Sequence, residues 1–242
     1  MCTVTFVPVK DKFIITSNRD EKYTRAKALP PMKYNVNGAN LIFPKDANAG
    51  GTWIAVNENG NAAVVLNGGF VNHTSNPPYK KSRGLVFLDI ISSDEPAHCF
   101  SEIDLLNIEP FTLILFQNGT LFECRWDGSK KHHKELYNRF PYIWSSATLY
   151  NEAAVQKREE WFASFLSNNY NPSQEDILHF HQFTGDGDLH NDLKMDRNGI
   201  MSTVSVSSIE IENNMATMKY TDLKDAKQYQ QQTFFTTSLQ EA

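Results

Sequence analysis

The sequence predicts an α+β fold in which helices are segregated onto largely antiparallel sheets. Strand patterns open the chain, helical patterns gather in its middle and strands return near the end, whereas a doubly wound fold would alternate the two throughout. The 242 residues are 40% apolar and 12% aromatic, with 16 Phe and 4 Trp, which is enough to bury a substantial core.

The first element is a hairpin. Thr3 to Pro8 and Phe13 to Ser17 are β-prone, and Lys10–Asp11 supplies a tight turn. A two-residue loop makes paired numbers sum to 21, setting Val4 against Ser17, Phe6 against Ile15 and Pro8 against Phe13. That register gathers apolar side chains on one face, which is how a buried face selects its pairing. Cys2 then stands opposite Arg19; a three-residue loop would oppose it to Asp20. Further strands are expected at Leu41–Phe43, Thr52–Val56 and Ala62–Asn67, the last two joined by the turn-rich Asn57–Asn61. Arg83–Ser92 and Pro96–Leu106 read as short helices that cover a sheet. Phe111–Phe116 and Leu121–Trp126 flank Asn118–Gly119, the pair a type I′ turn needs.

The clearest helix spans about 152–166, where Val155, Arg158, Trp161, Phe162, Phe165 and Leu166 recur at helical spacing behind Asn151 as N-cap. A second starts at Ser173, whose Ser-Gln-Glu-Asp has the form of a capping box, and runs to about Phe183. Thr203–Ile211 and Met215–Tyr220 form a late hairpin. The tail, 222–242, is polar and reads as a surface segment or a partly disordered one. No repeat, proline-rich linker or low-complexity block divides the chain, so 1–242 reads as a single domain.

The charge balance excludes some classes of function. Lys+Arg 23 against Asp+Glu 28 leaves a net charge of −5, so a generic nucleic-acid binder is not expected. The longest apolar runs fall far short of the roughly 20 residues that span a bilayer. The N-terminus lacks the basic and apolar regions of a secretion signal. Three cysteines, Cys2, Cys99 and Cys124, make neither a disulfide framework nor a zinc site, so a reducing, cytoplasmic setting is expected.

Cys2 follows the initiator methionine and is small enough for Met1 to be removed. The mature chain would then begin with a residue carrying both a thiol and an α-amino group of pKa about 7.7–8.0, a nucleophile and a base in one. The hairpin delivers Asn18-Arg19-Asp20-Glu21 to that residue. A guanidinium beside a thiol favours the thiolate, and Asp20 could hold or orient the α-ammonium. The plainer account is a small strand residue beside a solvated charge run.

Met-Cys-Thr at the start, Ser17-Asn18-Arg19-Asp20-Glu21, Ala49-Gly50-Gly51-Thr52-Trp53 and Val65-Leu66-Asn67-Gly68-Gly69 together resemble the NRDE family, which includes the transport and Golgi organisation 2 proteins. That family in turn resembles N-terminal nucleophile hydrolases of the choloylglycine hydrolase and penicillin V acylase group. The resemblance implies a four-layer αββα sandwich and amide-bond cleavage. It makes Cys2 the nucleophile and Asp20 the aspartate near the thiol. Arg19 fits less closely, because it adjoins Asp20 and consecutive strand residues face opposite ways. Asn67 and Gly68 match the oxyanion loop, with Gly68 N–H as donor. Ser146, in Trp144-Ser145-Ser146-Ala147, stands where the hydrolases carry a second donor, an Asn. Losing one such donor can cost about 2.7–4 kcal/mol.

Two functions are carried forward. In the first, Cys2 attacks an amide or thioester of a small molecule, Asp20 and Arg19 poise it, and Gly68 with Asn67 or Ser146 binds the oxyanion. In the second, the same fold binds or carries a hydrophobic small molecule, lipid-like or haem-like, without turnover. No cofactor is called for. The His132-His133 and His179-x-His181 pairs make no natural chelate, and the Asp186–Asp196 stretch lacks the Gly and Glu of a calcium loop. Gly50-Gly51-Thr52-Trp53 reads equally as a turn into a core strand or as a pocket wall.

Overall fold

The computed structural model describes residues 3–235. The chain runs through β1 (Thr3–Val9), β2 (Lys12–Lys22), β3 (Leu29–Val36), β4 (Ala39–Lys45), β5 (Ile54–Asn57) and β6 (Ala62–Asn67), then α1 (Arg83–Ile91) and α2 (Pro96–Glu102). It continues with β7 (Phe111–Gln117), β8 (Thr120–Trp126), β9 (Lys131–Leu136) and β10 (Tyr142–Ser145), then α3 (Glu152–Asn168) and α4 (Gln174–Phe183). Four strands close it: β11 (Asp196–Arg197), β12 (Met201–Glu212), β13 (Met215–Asp222) and β14 (Lys227–Phe234).

The strands form two antiparallel seven-stranded sheets. One is ordered β10-β1-β2-β12-β13-β14 with β11 paired to β12, and the other is the sequential meander β3 to β9. On β1 and β2 the side chains divide by parity, as a pleated strand requires. Val4, Phe6, Phe13 and Ile15 face the second sheet, where Phe6 and Phe13 meet Phe116 with ring centres 6.0 and 4.5 Å away. Val7, Val9 and Ile14 face α3 and α4 and pack on Phe162, Ile177 and Phe180. Helices α1 and α2 cover the far side of the second sheet. The layers therefore run helix, sheet, sheet, helix, the αββα sandwich expected.

The hairpin register is the one the buried face selects, with Val4↔Ser17, Phe6↔Ile15, Pro8↔Phe13 and Val9↔Lys12. Asn118 and Gly119 take the positive φ of 50° and 79° that their turn needs. Asn151 accepts from the Ala154 amide, and Ser173 with Asp176 closes a full capping box. The second short helix ends at Glu102, not Leu106. Within the described residues the polar tail supplies β14, an exposed edge strand on β13. Strand β9, Lys-His-His-Lys-Glu-Leu, is likewise a polar edge and does not announce itself. Among the described residues no helix is long and apolar enough to cross a membrane.

Candidate functional site

Cys2 lies outside the described residues; the site is built around the strand end that follows it. There β1 is flanked on both sides, Thr3 pairing with Ser145 of β10 and Val4 with Ser17 of β2. Arg19 and Asp20, near the end of β2, are both buried and, being consecutive, part to opposite faces.

Asp20 turns toward the helix layer. Its Oδ2 accepts from the Tyr150 hydroxyl at 2.7 Å and its Oδ1 from the Thr203 hydroxyl at 2.5 Å. The β2–β12 register shifts between Thr203 and Ser205, a bulge of the kind that re-aims a side chain beside a site. Arg19 turns toward the space between the sheets. It donates from Nη2 to Asp46 Oδ2 at 2.6 Å, and its guanidinium lies 4.7 Å from the Trp53 ring centre. Asp46 also accepts from Arg25, at 2.9 and 3.1 Å. Burial pushes the Asp46 carboxyl up, but the Arg25 hydrogen bond, the Ala49 amide and the two guanidinium charges outweigh it and hold it below its ordinary range.

Asn67, Gly68 and Ser146, distant in sequence, do come together. Ser146 Oγ donates to the Asn67 carbonyl at 2.9 Å and lies 3.1 Å from Thr148 Oγ1. Gly68 has φ +84°, and a Cβ there would stand 3.0 Å from Thr148 Cγ2 and 3.1 Å from Ala147 Cβ, so this residue lets the two segments close. The Gly68 amide, expected to face a substrate, instead donates to the Pro110 carbonyl at 3.0 Å. The correction has a simple cause, because the turn leaving β6 satisfies its own backbone. The single Ser146 proton is likewise spent on Asn67.

A cavity of ≈ 460 Å³ opens beside these groups, bordered by Arg19, Trp53 and Asn67 together with Glu21, Arg25, Lys81, Arg83 and Glu109. Gly51, Thr52 and Trp53 of the Gly50-Gly51-Thr52-Trp53 stretch border it, and the stretch also reaches the core, where Trp53 is buried. Gly51 packs on Gly84 at the start of α1 so closely that a Cβ on Gly51 would meet the Gly84 carbonyl carbon at 2.6 Å. Two glycines thus set the helix against the cavity wall.

A second buried network ties the sheet to α4. Asn18 Nδ2 donates to the Leu193 carbonyl at 2.5 Å and the His181 carbonyl at 3.2 Å, which leaves Asn18 Oδ1 to face His181 Nδ1 at 2.5 Å. Nδ1 therefore carries the ring proton, and Nε2 accepts from the Thr5 hydroxyl at 2.8 Å. Burial, and then the charge of Arg158, push the His181 pKa down from 6.5 to about 3. Since the folded state resists protonation and the unfolded chain accepts it, stability is full above pH 6.5 and declines as pH falls from 6.5 toward 3. The expected loss between pH 7 and pH 5 is about 2 kcal/mol. Urea midpoints at the two pH values measure it; His181→Gln should flatten the dependence, and an unchanged slope in that variant would refute the assignment.

Sequence reasoning singled out Arg19, Asp20, Asn67, Gly68 and Ser146 but not Asp46, which pairs with Arg19, nor Tyr150 and Thr203, which donate to Asp20, nor Arg158, which packs on the Tyr150 ring. Only Arg158 left a signal, a charged side chain on the inward stripe of a helix. Among the described residues no group of three or more His, Cys, Asp or Glu could hold a metal. His181 is buried in its network and His179 stacks on Phe183 with ring centres 4.6 Å apart.

No curated protein sequence matches the chain. Solved structures do. The N-acylethanolamine-hydrolyzing acid amidase ortholog of Caenorhabditis elegans superposes with a TM-score of 0.60 at 12% identity, covering 86% of this chain and 92% of that one. Two variant forms of conjugated bile acid hydrolase from Clostridium perfringens superpose with TM-scores of 0.64 and 0.63 at 10% and 9% identity, covering 95% and 96% of this chain and 92% of each of those. At such identities the likeness is one of fold, that of the N-terminal nucleophile hydrolases. The family described as Transport and Golgi organisation 2 matches residues 1–238, and the chain belongs to that family.

Proposed function

We propose that this protein is an N-terminal nucleophile hydrolase that cleaves an amide or thioester bond of a small molecule through an acyl-enzyme on Cys2, after removal of Met1. The observation that carries the reading is that β2 brings beside the start of β1 a buried Asp20 held by two hydroxyls on one face and, on the other, an Arg19 that borders a cavity with Asn67. Cys2 directly precedes Thr3, the first residue of β1.

In this reading the thiol proton passes to the α-amino group, whose ammonium form Asp20 stabilises. The sulfur forms a bond to the carbonyl carbon and the carbonyl π pair moves onto oxygen. When that pair returns, the C–N or C–S bond breaks and the leaving group takes the proton from the ammonium. Water then attacks the thioester by the same proton route, giving a carboxylic acid and free Cys2. In the same reading the Asn67 side chain, at the border of the cavity, steadies the oxyanion. With the Gly68 and Ser146 protons engaged elsewhere, one donor fewer faces the oxygen, which favours a thioester over an unactivated amide. The charged side chains bordering the cavity, Arg19, Glu21, Arg25, Lys81, Arg83 and Glu109, disfavour a carrier of hydrophobic molecules.

The test is intact mass followed by a limiting dose of a thiol electrophile with peptide mapping. Burial and the nearby Asp89 raise the Cys99 pKa, while burial and Glu123 push Cys124 up to about 12, so both thiols resist ionising near neutrality. Loss of Met1 and labelling of Cys2 at or below pH 7, absent in Cys2→Ala, are expected. Retained Met1, or label on Cys99 in preference, would overturn the reading.

A further inference from the structure

Arg158 projects from α3 and is completely buried. Its Nη1 donates to Thr3 Oγ1 at 3.0 Å, and its Nη2 to the carbonyls of Asn191 and Asp192 at 3.0 and 2.9 Å. Its guanidinium carbon lies 3.4 Å from the centre of the Tyr150 ring. These acceptors are all neutral, and among the described residues Nε finds no hydrogen-bond partner. A buried cation without a counter-charge is unfavourable, and carbonyls with an aromatic face compensate it only in part. Fastening α3 to β1 would need no more than a neutral donor.

We infer that Arg158 is a positioning residue of the site proposed above: it fixes Thr3 and the Tyr150 ring, whose hydroxyl in turn fixes Asp20, and it lays a permanent positive charge beside the end of β1. The inference rests on the reading of Cys2 as nucleophile. Consecutive Cα atoms are about 3.8 Å apart, so a charge fastened to the Thr3 side chain is only a short distance along the chain from the residue before it. Positive potential there favours thiolate over thiol and free amine over ammonium, the two forms the reaction uses. The other charged or titratable groups around this strand end are Arg19 and Asp20 from β2, Tyr150 from the segment after β10, His181 from α4 and Arg197 from β11. Arg19 is paired with Asp46, and the Arg197 guanidinium lies farther out, 5.5 Å from the Tyr150 ring centre. Arg158 is therefore the nearest unpaired positive charge among them.

The experiment follows the rate of iodoacetamide alkylation at Cys2, located by peptide mapping, against pH in the full chain. Arg158→Gln, which removes the charge, is expected to raise the midpoint by about one pH unit, which is about tenfold slower labelling below both midpoints. Arg158→Lys keeps a cation and should restore most of the shift. If both variants lower the thermal midpoint while the Cys2 profile stays in place, Arg158 is merely structural and the inference fails. Should Arg158→Gln not fold, Tyr150→Phe keeps the ring under Arg158 but removes the hydroxyl that donates to Asp20 Oδ2, and a midpoint that does not rise in that variant defeats the inference equally. The wild-type midpoint speaks to the nucleophile separately. A value in the ordinary thiol range, about 8.5, removes the Cys2 reading whatever the variants do. A low wild-type value that Arg158→Gln leaves unmoved removes only the role of Arg158.

Discussion

Asn18→Ala is expected to destabilise the protein by about 4 kcal/mol, since it strands three buried partners at once and each costs about 1–3 kcal/mol when left unsatisfied. The two carbonyls, of Leu193 and His181, lose their donor, and the His181 ring N–H loses its acceptor. No water can replace the amide, because Asn18 and His181 are both completely buried. For a chain of this length the thermal midpoint should fall by about 8–16 °C. Asn18→Asp is a sharper probe. It keeps an acceptor toward His181 Nδ1 and loses the donor, and the new carboxylate favours the imidazolium, so its pH dependence should be weaker than that of the parent protein. A melting curve for Asn18→Ala within 2–3 °C of the parent would show that the network does not hold α4 to the sheet.

Asp20→Asn is expected to slow acylation of Cys2 about 100-fold, the lower end of what a positioned acid–base group contributes. The fold should hardly notice. Two of the groups that hold Asp20 are hydroxyls, those of Tyr150 and Thr203, and a hydroxyl that donates to a carboxylate oxygen can turn and accept from an amide N–H. What disappears is the negative charge that the proposed α-ammonium uses. Burst kinetics with an activated thioester, beside a melting curve, separate the two effects. A variant with unchanged stability and an unchanged burst would remove Asp20 from the mechanism.

Much of this architecture was legible because local chemistry and burial agree. In the first hairpin, the register of a two-residue loop puts Val4, Phe6, Phe13 and Ile15 on one face, whereas a slip by one residue would split them, and the two-residue loop is what the chain adopts. Asn151 and Ser173 mark their helices because an exposed backbone amide needs an acceptor there. The missed strands lack such agreement. β9 and β14 are edges whose polar side chains face water, and β3 holds Pro30 and Pro31 where its pairing slips. β10 has only four residues, and the β1 ladder decides its state. At the site, the motif residues were visible, but their partners are not local. Asp46 meets Arg19 across 27 positions, Tyr150 meets Asp20 across 130 and Thr203 meets Asp20 across 183. The misreading of Gly68 has the same origin, because nothing near it in sequence reveals that Pro110 takes its proton.

The order of strands also sets an order of events on the ribosome. The meander β3 to β9 is complete once residue 136 has emerged, and each of its strands pairs with the next in line. The other sheet cannot close so early, since β1 waits for β10 and β2 waits for β12, which begins at Met201. At roughly 5–20 residues per second, the nascent β1–β2 hairpin stays open at its β1 edge for about 6–25 s and at its β2 edge for about 10–40 s. The end of the molecule that carries Arg19 and Asp20 thus closes only after the other sheet is complete.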